Sequence, residues 1–123
     1  MNGEQRAISN KKPRSNLLAW QKSIELAVAI YETTKTFPKD EIYGLTSQLH
    51  RAAVSAPSTI AEGAADRTSL SNAIGSLNEI DTQLELVLRL GYVSKAEYDR
   101  LFKILDDCIA LTYGLRKTVN RKQ

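Results

Sequence analysis

With 123 residues, 42% apolar and 25% charged, the chain has the length of one domain and an ordinary globular composition. No apolar run approaches the roughly 20 residues that a bilayer-spanning helix needs, and residues 1–16 are polar without a secretory apolar segment. With Cys108 as its lone cysteine, an internal disulfide is excluded and a cytoplasmic location is expected.

The net charge of +3 is unevenly placed. Residues 1–22 hold five Lys/Arg against one acid, residues 23–92 five against nine, and residues 93–123 seven against four. Lys11, Lys12, Arg14 and Lys22 near the start, and Arg116, Lys117, Arg121 and Lys122 near the end, are therefore candidate contacts to an acidic partner such as RNA or DNA. The same charges also suit solubilising tails.

In chain order, residues 1–15 read as a basic flexible segment, residues 16–120 as a bundle and residues 121–123 as a basic tail. The first helix is expected to start after Ser15 or Asn16, both favoured N-caps, and to stop near Thr36, because Pro38 pushes its predecessor out of the helical region. Leu17, Trp20, Ile24, Ala27 or Val28, and Tyr31 recur three and four apart, which predicts its core stripe. A second helix is expected from Asp40 or Glu41 to Ala64, burying Leu45, Leu49, Ala52, Ala53, Ala56 and Ile60, with a bend at Pro57.

Gly63, Asp66, Arg67 and Thr68 supply turn chemistry before a third helix from Ser69 to Leu90, whose stripe is Leu70, Ala73, Ile74, Leu77, Ile80, Leu84 and Val87. Gly91 is its expected stop. Ser94 and Glu97 form a capping-box pattern for a fourth helix, whose seam is Tyr98, Leu101, Leu105, Cys108, Thr112, Leu115 and Val119. The connections are short and no strand alternation occurs, so the expected fold is all-α, an antiparallel up-down-up-down four-helix bundle. Leu26 and Ile30, Leu86 and Leu90, and Phe102, Ile104, Ile109 and Leu111 lie off these stripes. One core cannot bury opposite faces of a helix, so these residues are the expected interface of a homo-oligomer.

Catalytic candidates do not converge. His50 is the single histidine, which excludes a multi-histidine metal site, and Cys108 lacks a second cysteine for a zinc knuckle. Some helical ribonucleases pair an arginine with a histidine a few residues downstream, but the nearest arginine before His50 is Arg14. Asp81 and Glu85 with Glu79 and Glu62 could be read as a carboxylate metal site, but a solvated face or intersubunit ion pairs suit them better. Gly63 and Gly75 have no phosphate-loop spacing, so no enzyme, metal or cofactor is expected.

Several segments resemble a known family. They are WQK at 20–22, YGLTSQL at 43–49, RAAVS at 51–55 with Pro57, IAEG at 60–63, GSL at 75–77 and TQL at 82–84. In this order they are similar to the four-helix-bundle family of proteins encoded in intervening sequences of bacterial 23S rRNA genes, which also takes in the accessory variability proteins of diversity-generating retroelements. The resemblance implies no catalytic residues and a ring-like homo-oligomer, with a pentamer favoured. For the retroelement branch it implies a basic scaffold that binds a reverse transcriptase and RNA or hybrid nucleic acid. Only AADRTSLSNAI separates IAEG from GSL here, so the third helix is expected to be one to two turns shorter than in relatives. The expected function is thus a non-enzymatic oligomeric scaffold that binds nucleic acid through its basic termini, with a purely structural protein–protein adaptor as the alternative.

Overall fold

The computed structural model describes the backbone of residues 14–62 and 66–122, with side chains from 16 to 62 and from 66 to 119. Four helices, α1 (Arg14–Thr34), α2 (Leu45–Glu62), α3 (Arg67–Arg89) and α4 (Lys95–Lys122), make up the fold, and a 3₁₀ turn at Lys39–Glu41 precedes α2. Among the described residues there is no strand. Helix α1 packs on α2 and α4, and α3 packs on the same two, closing a four-sided bundle.

Local chemistry sets the boundaries. Helix α1 tightens at its end, where Lys35, Thr36 and Phe37 donate backbone N–H groups to carbonyls three residues back, and it stops before Pro38. The second helix starts later than the sequence suggests. Glu41 sits in the 3₁₀ turn, and its carboxylate folds forward to accept the Leu45 N–H at 3.0 Å. Gly44 allows this, since a Cβ there would lie 2.8 Å from Glu41 Oε1. Helix α2 continues through Pro57, so the proline does not break it. The expected end at Ala64 and the Gly63 turn lie outside the described residues.

Helix α3 begins two residues earlier than expected because Asp66 caps it, accepting the Thr68 N–H at 3.0 Å and the Ser69 hydroxyl at 2.9 Å. Its end is a Schellman turn. Gly91 takes φ +79°, its N–H reaches Leu88 O, and the Tyr92 N–H reaches Val87 O at 2.9 Å. Ser94 then caps α4 by accepting the Glu97 N–H at 3.1 Å.

The predicted stripe of α3 is buried throughout, as are the α4 seam from Leu101 to Val119 and the α2 stripe from Leu49 to Ile60. The stripe expected for α1 is displaced from the buried face, with Leu17, Trp20 and Ala27 half-buried at its edge. Its buried face runs through Asn16, Ala19, Ser23, Leu26, Ile30 and Thr34, three and four apart, with Ala29 beside it, whereas Ile24, Val28 and Tyr31 are exposed. Three of those inward residues are polar, so apolarity alone selected the wrong face. Each finds a bond at hand: Asn16 Nδ2 donates to Ile60 O, Ser23 to Trp20 O and Thr34 to Tyr31 O. Asn16 is thus a buried tie between α1 and α2, not an N-cap.

Candidate functional site: a basic end and exposed apolar faces

The start of α1, the end of α2, the start of α3 and the end of α4 meet in one small core of Ala19, Ile60, Leu70, Ala73, Leu115 and Val119, with Trp20 and Leu111 packed against it. Two hydrogen bonds join the same ends: Asn16 Nδ2 to Ile60 O at 3.2 Å, and Arg116 Nη1 to Ser71 Oγ at 3.2 Å. The folding pattern therefore brings the two basic ends of the described chain together, with Arg14 opening α1 and Arg116, Lys117, Arg121 and Lys122 closing α4. Arg67, in the first turn of α3, lies on the same end.

Of the candidate contacts to nucleic acid, Lys11 and Lys12 lie outside the described residues. Lys22 does not join the basic end as a free charge. Its ammonium pairs with Glu25 at 2.9 Å, and that bond, helped by the nearby Glu25 and Asp107 charges, holds its pKa above the ordinary value against the cost of desolvation. Arg116 lies over the Tyr113 ring, 5.0 Å from its centroid, and these two line a cleft of about 330 Å³ with Gly114 and Lys117. Nothing in the sequence reading singled out this cleft, although a glycine inside α4 between an aromatic and two cations was a visible signal.

The proposed interface residues divide. Leu26, Ile30 and Ile104 are buried in the main core of the single chain, so they cannot be apolar surface left over for another copy. Ile109 and Leu111 are half-buried against their own cores. Leu86, Leu90 and Phe102 are exposed, at 46%, 53% and 38%. The sequence reading missed the exposed stripe of Ile24, Val28 and Tyr31 on α1, because it assigned those residues to the core. Tyr31 stacks on His50 of α2 with ring centroids 3.8 Å apart, which extends this surface toward α2.

The remaining candidates for chemistry are engaged structurally. The Thr34 hydroxyl lies 3.1 Å from Tyr31 O and 2.8 Å from His50 Nε2, a hydrogen bond whose direction follows the imidazole tautomer. Burial lowers the His50 pKa from 6.5. Burial also pushes the Cys108 thiol up to about 11, despite its hydrogen bond to Thr112, which makes it a poor nucleophile. Glu85 is lowered mainly by the Arg89 guanidinium and accepts the Tyr98 hydroxyl as well. Among the described residues, no three His, Cys, Asp or Glu side chains are grouped to hold a metal ion. None of these helices is long and apolar enough to cross a membrane.

The fold and the pattern of residues agree with what comparison shows. Residues 15–114 match the model of the 23S rRNA-intervening sequence protein family, and the chain belongs to that family. The family description records where the gene lies and names no reaction. A crystal structure of a protein with unknown function from the S23 ribosomal protein family of Bacteroides thetaiotaomicron has the same fold, with TM-score 0.74 and 23% identity over 84% of this chain and 98% of that one. No curated protein matches the chain.

Proposed function

We propose that this protein is a non-enzymatic, ring-like homo-oligomeric scaffold of antiparallel up-down-up-down bundles that binds RNA or RNA/DNA hybrids through its basic end. The observation that carries this reading is the convergence of the start of α1, the start of α3 and the end of α4 around one small core, the end of the fold where Arg67, Arg116 and Lys117 lie. Each copy then presents one basic surface, and assembly multiplies weak phosphate contacts into avid binding. The exposed Leu86, Leu90 and Phe102, joined by Ile24 and Val28, are the surface that other copies would cover. The protein acts in the cytoplasm, and the resemblance to accessory variability proteins makes a reverse transcriptase a fitting partner. The pentamer implied by that resemblance is the expected ring size.

Fluorescence anisotropy with a labelled RNA strand and an RNA/DNA hybrid tests the reading. With six or more phosphate contacts, affinity should fall on the order of a thousandfold between about 50 and 200 mM salt. Replacing Arg116 and Lys117 by Glu should abolish binding at the upper salt. A stable assembly that ignores both probes at low salt would instead favour the adaptor alternative.

A further inference from the structure

The cations of α4 fall into two groups. Lys95, Arg100 and Lys103 each pair with an acid on their own helix, Asp99, Glu97 and Asp107. Among the described residues, no carboxylate forms an ion pair with Arg116 or Lys117. Arg116 is instead fixed by neutral partners, donating to Ser71 Oγ at 3.2 Å and lying over the Tyr113 ring. The guanidinium charge is thus held in place without being neutralised, and the ring stays 44% exposed.

Gly114 adds a second, independent observation. Glycine is among the least favourable residues in a helix interior, and here nothing in the chain requires it. A Cβ at this position would meet no atom within 4 Å. The open space belongs to the cleft of about 330 Å³ beside Tyr113, Arg116 and Lys117, a volume in the range of small-ligand sites.

We propose that this cleft is a subsite for one nucleotide of a single-stranded nucleic acid, its base extending the Arg116–Tyr113 stack and its phosphate meeting Lys117. This rests on the nucleic-acid reading above and adds a base-dependent element to it. A base within a duplex is already stacked on both faces and cannot enter a cleft one helical turn long, whereas an unpaired base can. Selection among bases is not expected, because every base offers a π face.

The test uses the full-length protein and four labelled probes read by anisotropy: an oligouridylate, an oligothymidylate, an abasic deoxyribose strand of equal length and a hairpin duplex. The native protein should bind the two base-containing strands roughly tenfold more tightly than the abasic strand. Tyr113→Leu, and separately Gly114→Leu, which fills the cleft while improving helix propensity, should erase that difference and leave the salt dependence unchanged. Equal affinity for abasic and base-containing strands, or tighter binding of the duplex, overturns the inference while leaving electrostatic binding intact. Failure to bind any probe overturns the parent reading with it.

Discussion

Cys108, His50 and Glu41 show how far individual environments depart from what a list of residue types suggests. The Cys108 thiol is enclosed by the main core and held protonated, so thiol reagents at neutral pH should modify it only after unfolding. Rapid modification of the native protein would contradict that placement. His50 is lowered from 6.5 by burial, so the native state holds fewer protons than the unfolded chain in that range. Its contribution is complete above pH 6.5 and is lost as pH falls through the lower native value. Glu41, lowered by the Leu45 N–H and the Tyr92 hydroxyl, and Glu97, lowered first by Arg100 and then by Thr33, lose theirs later, below their ordinary 4.5. Urea midpoints should therefore fall in two stages on acidification, and His50→Gln should show only the second. An unchanged profile in that variant would rule out the His50 assignment. Asp66→Ala removes the α3 cap and should cost about 1 kcal/mol in chemical denaturation.

At the level of helices, three of the four core stripes could be read from the sequence because burial there is almost wholly apolar. From Leu101 to Val119 the α4 seam contains one polar residue, Thr112, and its hydroxyl returns to the Cys108 carbonyl. Helix α1 could not be read this way. It turns Asn16, Ser23 and Thr34 inward and Ile24 and Val28 outward, and the bonds that the Asn16 amide N–H and the two hydroxyls make exist only once the helices are packed or the helical turn has formed. The Glu41 cap was hidden for a similar reason, since it depends on Gly44 leaving room and on Tyr92, 51 residues away, donating at 2.8 Å. The α1 register has a direct test. Leu26→Ala should lower stability by about 2–5 kcal/mol, as for other enclosed leucines, while Val28→Ser should leave single-chain stability within about 0.5 kcal/mol. The opposite ranking in denaturation would restore the apolar stripe to the core.

For the whole molecule, what matters is which ends meet. Charge counting showed that both termini are basic, but only the packing around Ile60, Leu70 and Leu115 shows that the start of α1 and the end of α4 meet at one end of the fold. The exposed Ile24, Val28, Leu86, Leu90 and Phe102 are other residues than the cations of the basic end, so the proposed assembly and the proposed strand binding should be separable. Ile24→Ser with Val28→Ser should reduce the oligomer to smaller species in light scattering while each chain keeps its helical content. Its binding to strands should then weaken through lost avidity. Sedimentation velocity of the native protein with a labelled RNA strand, at low and at high salt, tests the account most directly. It predicts a protein oligomer at both salt concentrations that carries the strand only at low salt. A monomer at every concentration, or an oligomer that leaves the strand free even at low salt, would contradict it.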